Sequence, residues 1–333
     1  MSAMSETESA GRRVGMRDVA RLAGVSSQTV SRVLNDHPSI RHETRQRVLD
    51  AMAALDYRVN NAARALGTRT TRTLGVIASD ATLYGPSVGI AALEAAAREA
   101  GRWIATAYAD AAEAASVIDA ARRLLAQGVD GIVVLAPHVA TLAALREAQP
   151  GVPLVVLHGD LGERRQEEGA ALAARHLVAL GHRRIARIAG PDEWLEAVAR
   201  DAGIDQALAA AGLEAGPQWR GDWTAAAGAA LADEVAAAVR ADGGPTAVAV
   251  ANDQMALGLI AGLRAAGLDV PGDVSIVGFD DNQDAAFYRP ALTTVRLDLA
   301  GEARQAVATV LGLDAPSPSP PVLVIRASTA PPS

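Results

Sequence analysis

The feature that most constrains the fold is a change of pattern at Leu74. From there onward, short runs of Val, Ile and Ala alternate with Ala-rich amphipathic stretches of helical periodicity, such as residues 87–100 and 255–266. The strand candidates are TLGVIAS, GIVVLA, VPLVVLH, RIARIAG, TAVAVAN, DVSIVGFDD and PVLVIRA. Strands that are apolar along their whole length and are joined by helices predict parallel sheets in an α/β architecture.

The alternating region is too long for one sheet. It covers about 255 of the 333 residues, so we expect two doubly wound lobes with a ligand cleft at the carboxyl ends of the strands. Half of the residues are hydrophobic but only 3% are aromatic, so Ala, Val and Leu must build the core. No apolar run approaches the roughly 20 residues of a membrane helix. The polar N-terminus does not resemble a secretory signal, and the chain has no cysteine. We therefore expect a cytoplasmic protein with no membrane partner.

The first 58 residues follow a different pattern, with three apolar faces at helical spacing. The faces are formed by Val19 and Ala23, by Val30, Val33 and Leu34, and by Val48, Leu49, Met52 and Leu55. Gly24 is predicted to end the first helix, and Ser26 to cap the second by accepting a backbone N–H bond. Two short helices that meet across a glycine-containing turn are typical of the helix-turn-helix.

The sign of the net charge also changes near residue 73, where the pattern of apolar residues changes. Residues 1–73 hold twelve arginines and seven acidic residues, a net charge of +5, although the whole chain carries −7. A GC-rich genome explains why every basic residue except histidine is arginine and none is lysine. It does not explain the difference in net charge between residues 1–73 and the rest of the chain. A basic head on an acidic body indicates a polyanionic partner for the head alone.

The second helix carries side chains that suit DNA. Gln28 can bond adenine and Arg32 can bond guanine in the major groove, and Thr29 and Ser31 are short enough to reach phosphates. The alternative is an ordinary solvated helix face. The coincidence of turn, cap, basic charge and polar helix favours DNA binding.

The sequence offers little that would support catalysis. The six histidines lack metal-ligand spacing, and no GxSxG, Walker or GxGxxG motif is present. The pair Asp280 and Asp281 has no accompanying nucleophile. We therefore expect no enzyme activity, no cofactor and no metal.

Several long motifs resemble one family. RDVARLAGVSSQTVSRVLN, TRQRVLDAMAALDYRVNNAARALG, LVALGHRRIARIAGP, GDW, VANDQMALGLIAGLRAAGLDVPGDVSIVGFDD and LTTVR are similar, in order and spacing, to the LacI/GalR transcriptional regulators. The resemblance extends from residue 16 to about 328. It implies a repressor that binds a pseudo-palindromic operator as a homodimer and is released by a small-molecule effector of the carbohydrate class. A corepressor-responsive or nucleoside-responsive regulator of the same fold, or a solute-binding protein, remains an alternative.

The resemblance also implies a domain plan, with a two-lobed core like that of periplasmic binding proteins behind an all-α helix-turn-helix head. Residues 1–15 would form a disordered tail, 16–59 the head, 60–72 a hinge helix and linker, and 73–328 the core. Within the core, the N-subdomain would comprise about 73–160 and 292–320, and the C-subdomain about 161–291 and 321–328.

For the DNA interface, the resemblance assigns base reading to Ser27, Gln28 and Arg32. The further DNA-contacting positions would be Ser26, Thr29, Ser31, Asn35, Thr44, Tyr57, Asn60, Ala63 and Leu66. Leu66 would enter the minor groove as an apolar wedge from a hinge helix that orders on DNA; otherwise it is a simple linker residue. Many relatives have proline where this chain has Val59, which leaves the hinge less rigidly preset.

For the effector, the family pattern assigns Ser79, Leu83, Pro86, His158, Arg200, Trp223, Asn252 and Asp280. Arg, Asn and Asp can bond sugar hydroxyls, and tryptophan can cover an apolar sugar face. Each residue also has a structural alternative as a helix cap, a packing residue or a solvated charge. His158 stands where sugar-binding relatives have aspartate, and the loop after it is shorter. The chain ends without a leucine heptad segment, so we expect a dimer.

Overall fold

The protein forms two compact units, Met1–Arg69 and Thr70–Ser333. The structure is a computed structural model, and it describes residues 14–34, 37–57, 70–135, 138–157 and 161–332. Within these ranges no helix is long and apolar enough to cross a membrane.

The described residues of the first unit form three helices. They are α1 (Met16–Ala23), α2 (Ser27–Leu34) and α3 (His42–Ala54). Gly24 ends α1 with φ +66°, the left-handed conformation that glycine adopts without steric cost. The Ser26 hydroxyl accepts a hydrogen bond from the Thr29 backbone N–H at 3.1 Å. Both the helix end and the cap predicted from the sequence are confirmed.

The head has its own hydrophobic core. All three helices contribute fully or nearly fully buried side chains, among them Val19, Val30 and Val48. The prediction for Leu49 is wrong, because this side chain is 44% exposed. Leu49 lies about 100° around α3 from Val48, so both cannot face the same small core.

The second unit contains two parallel sheets. The strands are β1 (Thr73–Ala78), β2 (Trp103–Tyr108), β3 (Gly131–Val134), β4 (Leu154–Val156), β5 (Ile185–Ala189), β6 (Gln218–Arg220), β7 (Ala247–Val250), β8 (Ser275–Val277), β9 (Thr294–Arg296) and β10 (Val322–Val324). The sheet orders are β2-β1-β3-β4 in the N-lobe and β6-β5-β7-β8 in the C-lobe. All six pairings within these sheets are parallel, which confirms the predicted pair of doubly wound sheets.

Helices connect the strands and cover the sheets. They are α4 (Tyr84–Glu99), α5 (Ala114–Ala126), α6 (Val139–Glu147), α7 (Leu161–Ala179), α8 (Leu195–Ala210), α9 (Ala225–Ala230), α10 (Ala232–Arg240), α11 (Asp253–Ala265) and α12 (Leu299–Val310), with a short 3₁₀ turn at Ala285–Phe287. Each lobe has two buried apolar clusters, and Ala, Val, Leu and Ile dominate all four.

Three strands are absent from the sequence-based set: β2, β6 and β9. Strands β2 and β6 lie at sheet edges, and β9 pairs antiparallel with β10 in a separate two-stranded ribbon. No side chain of β2 or β6 is fully buried, so these two strands lack the continuous apolar run of a buried parallel strand. In β9, Thr294 and Val295 are buried, but the strand has three residues, of which only Val295 is apolar.

Two predicted boundaries need correction. Residues 292–296 lie with the C-lobe, not the N-lobe, because the Gly278 and Asp280 N–H groups donate to Thr293 and Val295, and Val295 packs in a C-lobe cluster. The N-lobe portion of this region is α12, whose buried face packs with β1 and α4. Residues 70–72, predicted as linker, belong to the core unit: the Thr71 hydroxyl donates to the Gly128 carbonyl at 2.8 Å.

Candidate ligand cleft and nucleic-acid interface

A cleft lies between the two lobes, at the carboxyl ends of both sheets. It is lined by Leu83, Tyr84, Gly85, Pro86, Leu135, Trp194, Glu196, Arg200, Trp223, Asn252, Gln254 and Asp280. Segments after β1 and β3 form the N-lobe wall, and segments after β5, β6, β7 and β8 form the C-lobe wall. The mixture of aromatic and polar groups suits a small organic ligand.

The structure brings six of the eight predicted effector residues together in this cleft. They are Leu83, Pro86, Arg200, Trp223, Asn252 and Asp280. Ser79 instead lines two neighbouring cavities, and its hydroxyl is buried without a hydrogen-bond partner. His158 lies outside the described residues. The ligand contacts assigned to these residues remain predictions.

Arg200 is a fixed cation in the floor of the cleft. Its Nε donates to Gln166 at 2.8 Å, one terminal nitrogen donates to the Ala251 carbonyl, and the other donates to Asp280 at 3.2 Å. The guanidinium carbon also lies 3.9 Å from the centre of the Phe279 ring. Three of its five N–H groups are bonded to the protein, so Arg200 organises the C-lobe wall and retains one N–H on each terminal nitrogen.

Asn252 and Trp223 are coupled. The Asn252 amide donates to the Trp223 carbonyl at 2.9 Å, and its oxygen accepts from the Met255 N–H, which caps α11. Trp223 has φ +76°, a strained conformation for a bulky residue. Its indole packs on Gly190, where a Cβ atom would overlap the ring. Asn252 therefore caps a helix, the structural role that the sequence left open as an alternative to ligand binding. The same side chain also holds the cleft wall in place.

Asp280 and Asp281 lie on a strained turn after β8. Both have positive φ, at 111° and 51°. Two hydrogen bonds hold the turn in place. The Asp280 N–H donates to the Val295 carbonyl, and the Asp281 carboxylate accepts from Arg326 at 2.6 Å. Positive φ at non-glycine residues persists only where the surroundings impose it. The ribbon of β9 and the C-terminal segment thus hold the Asp280 side chain at the cleft.

A buried acid supports this turn from beneath. Asp253 is 1% exposed and accepts bonds from the Thr294 hydroxyl at 2.6 Å and the Asn282 N–H at 2.8 Å. Burial, reinforced by the nearby charge of Asp280, raises the pKa of Asp253 to about 8. Asp253 is therefore mostly a neutral carboxylic acid at pH 7.

The lobes touch at two places beside the cleft. The Tyr84 N–H donates to Gln254 Oε1 at 3.3 Å, and burial with nearby acids raises the pKa of the Tyr84 phenol to about 12. On the other side, the Val139 N–H donates to the Glu193 carbonyl at 3.0 Å. There, the His138 ring lies 5.2 Å from the Trp194 ring. These contacts join side chains and backbone of opposite lobes, so they depend on the angle between the lobes.

The proposed DNA-reading face lies on α2. Gln28 and Arg32 are exposed and one helical turn apart, on the same side of the helix. Ser27, Thr29 and Ser31 are half-buried, as are Thr44 on α3 and Tyr57. The Thr29 hydroxyl lies 2.9 Å from the Ser26 hydroxyl, so both groups take part in the cap. Four further predicted DNA contacts, Asn35, Asn60, Ala63 and Leu66, lie outside the described residues, as does Val59.

Comparison with known proteins gives the same division of the chain. The description "Bacterial regulatory proteins, lacI family" matches residues 15–60, and "Periplasmic binding protein-like domain" matches residues 174–329. The lactose operon repressor of Escherichia coli K12 is 35% identical over 294 residues, 86% of this chain and 80% of that protein. The regulator GalR of the same organism is 35% identical over 96% of both chains. This chain belongs to the lacI family. A crystal structure of the lac repressor dimer bound to operator and the anti-inducer ONPF superposes with a TM-score of 0.76, at 31% identity, over 96% of this chain and 100% of that one.

Sequence reasoning missed part of the cleft of this lacI-family regulator. Tyr84 lies between the predicted residues Leu83 and Pro86, and Gln254 lies within the motif VANDQMALG, so their inclusion required only extending the site along the chain. Trp194 and Glu196 lie in PDEWLEAVAR, directly after β5. The carboxyl end of a central parallel strand is where a ligand site is expected, and this signal alone could have identified them. Among the residues that the structure describes, no cluster of His, Asp or Glu could hold a metal ion.

Proposed function

We propose that this lacI-family repressor binds a pseudo-palindromic operator as a homodimer and is released by a sugar that occupies the interlobe cleft. It acts in the cytoplasm, where the operator DNA lies, and it does not convert its ligand. The observation that carries the proposal is the exposed pair Gln28 and Arg32 on a capped helix, in a unit separate from the one that holds the cleft.

The geometry of α2 supports major-groove reading. The Ser26 cap satisfies N–H groups at the start of the helix, so α2 is stable enough to present side chains in a fixed direction. Gln28 and Arg32 have the donor and acceptor patterns that match adenine and guanine edges. Two heads related by a two-fold axis would read the two half-sites of a pseudo-palindrome, as in the operator-bound dimer of the lac repressor.

The composition of the cleft supports a sugar. Trp194 and Trp223 meet edge to face, with ring centres 5.8 Å apart, and give the cleft an apolar wall. Asp280, Glu196 and Gln254 supply hydrogen-bonding groups around it. An apolar face with polar groups at its border matches the two faces of a sugar ring.

The contacts between lobes beside the cleft indicate how a ligand would act on DNA binding. A ligand shifts the lobe orientation only to the extent that it binds one orientation more tightly than the other. A sugar bound between Tyr84 and Asp280 would touch both lobes and favour one closure angle. The proposed sign is induction, in which the favoured angle separates the two heads of the dimer from their half-sites.

Selection of bound DNA from a random pool by the purified full chain tests the proposal. We expect enrichment of a pseudo-palindrome, followed by its release when neutral mono- and disaccharides are added. Arg32→Ala should weaken operator binding about 10- to 100-fold, which corresponds to roughly 1–3 kcal/mol, and relax specificity at one base pair of each half-site.

Arg264→Ala provides a matched control, because Arg264 is an exposed arginine on α11 of the core, and this variant should bind the operator normally. Equal effects of the two substitutions would contradict the assignment of α2. A selected operator that no sugar releases would contradict the sugar effector.

A further inference from the structure

Glu196 is a buried acid in the cleft whose Oε2 has no partner among the described residues. Its residue is only 6% exposed, in the first turn of α8, and Oε2 is buried without a hydrogen bond. A buried polar atom left unsatisfied costs about 1–3 kcal/mol, and more when it is charged. The carboxylate therefore gains free energy from any ligand that brings a donor to it.

The neighbouring arginine does not meet this need. Glu196 and Arg200 are four residues apart on one helix, the spacing at which glutamate and arginine commonly pair. All the nitrogens of Arg200 are instead directed to Gln166, Ala251 and Asp280. The position of Glu196 in the first helical turn also favours its negative charge through the helix dipole.

A second unsatisfied group in the same cleft has the opposite hydrogen-bonding character. Trp223 lines the cleft and is 6% exposed, and its indole Nε1, a donor only, is buried without a partner. The cleft thus contains one unmatched acceptor and one unmatched donor. A hydroxyl group both donates and accepts, whereas a carboxylate only accepts and an ammonium group only donates.

We propose that Glu196 is a specificity-determining residue that accepts a hydrogen bond from a hydroxyl of an uncharged, polyhydroxylated effector and excludes anionic ones. The Trp223 indole donates to a hydroxyl of the same effector. A sugar phosphate or a uronate would place a second negative charge beside Glu196 and Asp280, with Arg200 already shared. The inference rests on the proposed sugar-binding function and names the class of sugar.

The test uses isothermal titration calorimetry on the full chain and on the variants Glu196→Gln and Glu196→Asp. The probes are D-galactose, D-glucose and lactose, with galactose 6-phosphate and galacturonate as the anionic counterparts. Glu234→Gln is the matched control, since Glu234 is an exposed glutamate in the first turn of α10. Melting temperatures of all variants establish that they are folded.

We expect the wild type to bind at least one neutral sugar and to bind its anionic counterpart at least tenfold more weakly. A hydrogen bond to a charged group contributes about 1.5–3 kcal/mol, so Glu196→Gln should weaken binding of the neutral sugar about 10- to 100-fold. The difference in affinity between the neutral sugar and its anionic counterpart should also become smaller. Glu196→Asp, which keeps the charge, should retain the discrimination against anions even where affinity falls. Glu234→Gln should match the wild type.

Two results would overturn the inference and leave the sugar effector intact. One is a neutral sugar that binds Glu196→Gln as tightly as the wild type, and the other is an anionic sugar that binds the wild type as tightly as its neutral counterpart. A wild type that binds none of the five probes, and whose operator complex no sugar releases, would overturn the proposed function together with the inference.

Discussion

The buried acid Asp253 should make the stability of the core unit fall as pH rises above neutrality. Its carboxyl is neutral in the folded protein up to about pH 8, but in the unfolded chain it ionises near the ordinary value of about 4. Between these two values the folded state binds the extra proton, so each rise in pH favours unfolding. The stabilisation is complete below about pH 4 and is lost as pH rises through 8.

The size of the effect follows from the width of that window. When the folded state binds one proton more than the unfolded state, the free energy of unfolding falls by about 1.4 kcal/mol for each rise of one pH unit. From pH 6.5 to 8 the slope weakens as the folded protein begins to release its proton, which leaves a loss of roughly 1.5 kcal/mol. At pH 6.5 the histidines of the unfolded chain are about half protonated, so His176 and His182 oppose the effect slightly at the lower end of this window. Their contribution cancels when the wild type is compared with a variant that changes only Asp253.

Urea unfolding at pH 6.5, 7.25 and 8, followed by circular dichroism, measures this loss. Asp253→Asn removes the titration, so the pH dependence above 6.5 should shrink by about 1.5 kcal/mol. Its amide has one oxygen where the carboxyl group has two, so one of the two hydrogen bonds from Thr294 and Asn282 must reverse or be lost, and the variant should also be less stable by about 1–3 kcal/mol at pH 6.5. Asp284→Asn, at an exposed position two residues beyond Asn282, is the control and should follow the wild type. Parallel pH profiles for Asp253→Asn and the wild type would refute the reasoning.

Three further perturbations follow from the structure. Ser26→Ala removes the cap of α2 and should destabilise the head by about 0.5–2 kcal/mol in thermal unfolding; an unchanged head transition would mean that the cap is not needed. Gly203→Ala places a Cβ atom against the Glu167 backbone, where α7 and α8 pack closely, and should cost about 1–3 kcal/mol or more, seen as a lower urea midpoint; equal midpoints would show that the helices separate freely. Burial lowers the pKa values of His176 and His182, so unfolding should become easier as pH falls below about 6.5, and His182→Gln should reduce that loss. A urea midpoint that is constant from pH 7 to 5 would contradict the histidine argument.

Periodicity predicted the central strands and the helices of both units, because central parallel strands are apolar on both faces and head helices are apolar on one. It failed for β2 and β6, whose side chains are all partly or fully exposed, so the apolar run breaks. It also failed for Leu49, since a small three-helix core accommodates fewer side chains than the pattern offers.

Family motifs predicted the positions of Arg200, Trp223, Asn252 and Asp280 in the cleft. They did not predict that the Arg200 nitrogens are all held by the protein, because its partners Gln166 and Ala251 come from distant parts of the chain. The sequence motifs likewise did not predict that the carboxylate of Glu196 has an oxygen without a hydrogen-bond partner. A lack of hydrogen-bond partners is a property of three-dimensional surroundings and leaves no trace in residue spacing.

Among the residues that the structure describes, the hydrophobic core of the head draws on residues 16–57, and the four clusters of the lobes draw on residues from Leu74 onward. No apolar cluster described here is built from both. Substitutions in the cleft therefore do not disturb the packing that shapes α2, and substitutions on α2 do not disturb the cleft. Evolution can therefore change the DNA sequence that the protein reads and the molecule that it senses one at a time. Recombination between two such genes near codon 65 would exchange the entire DNA specificity or the entire effector specificity without repacking either core.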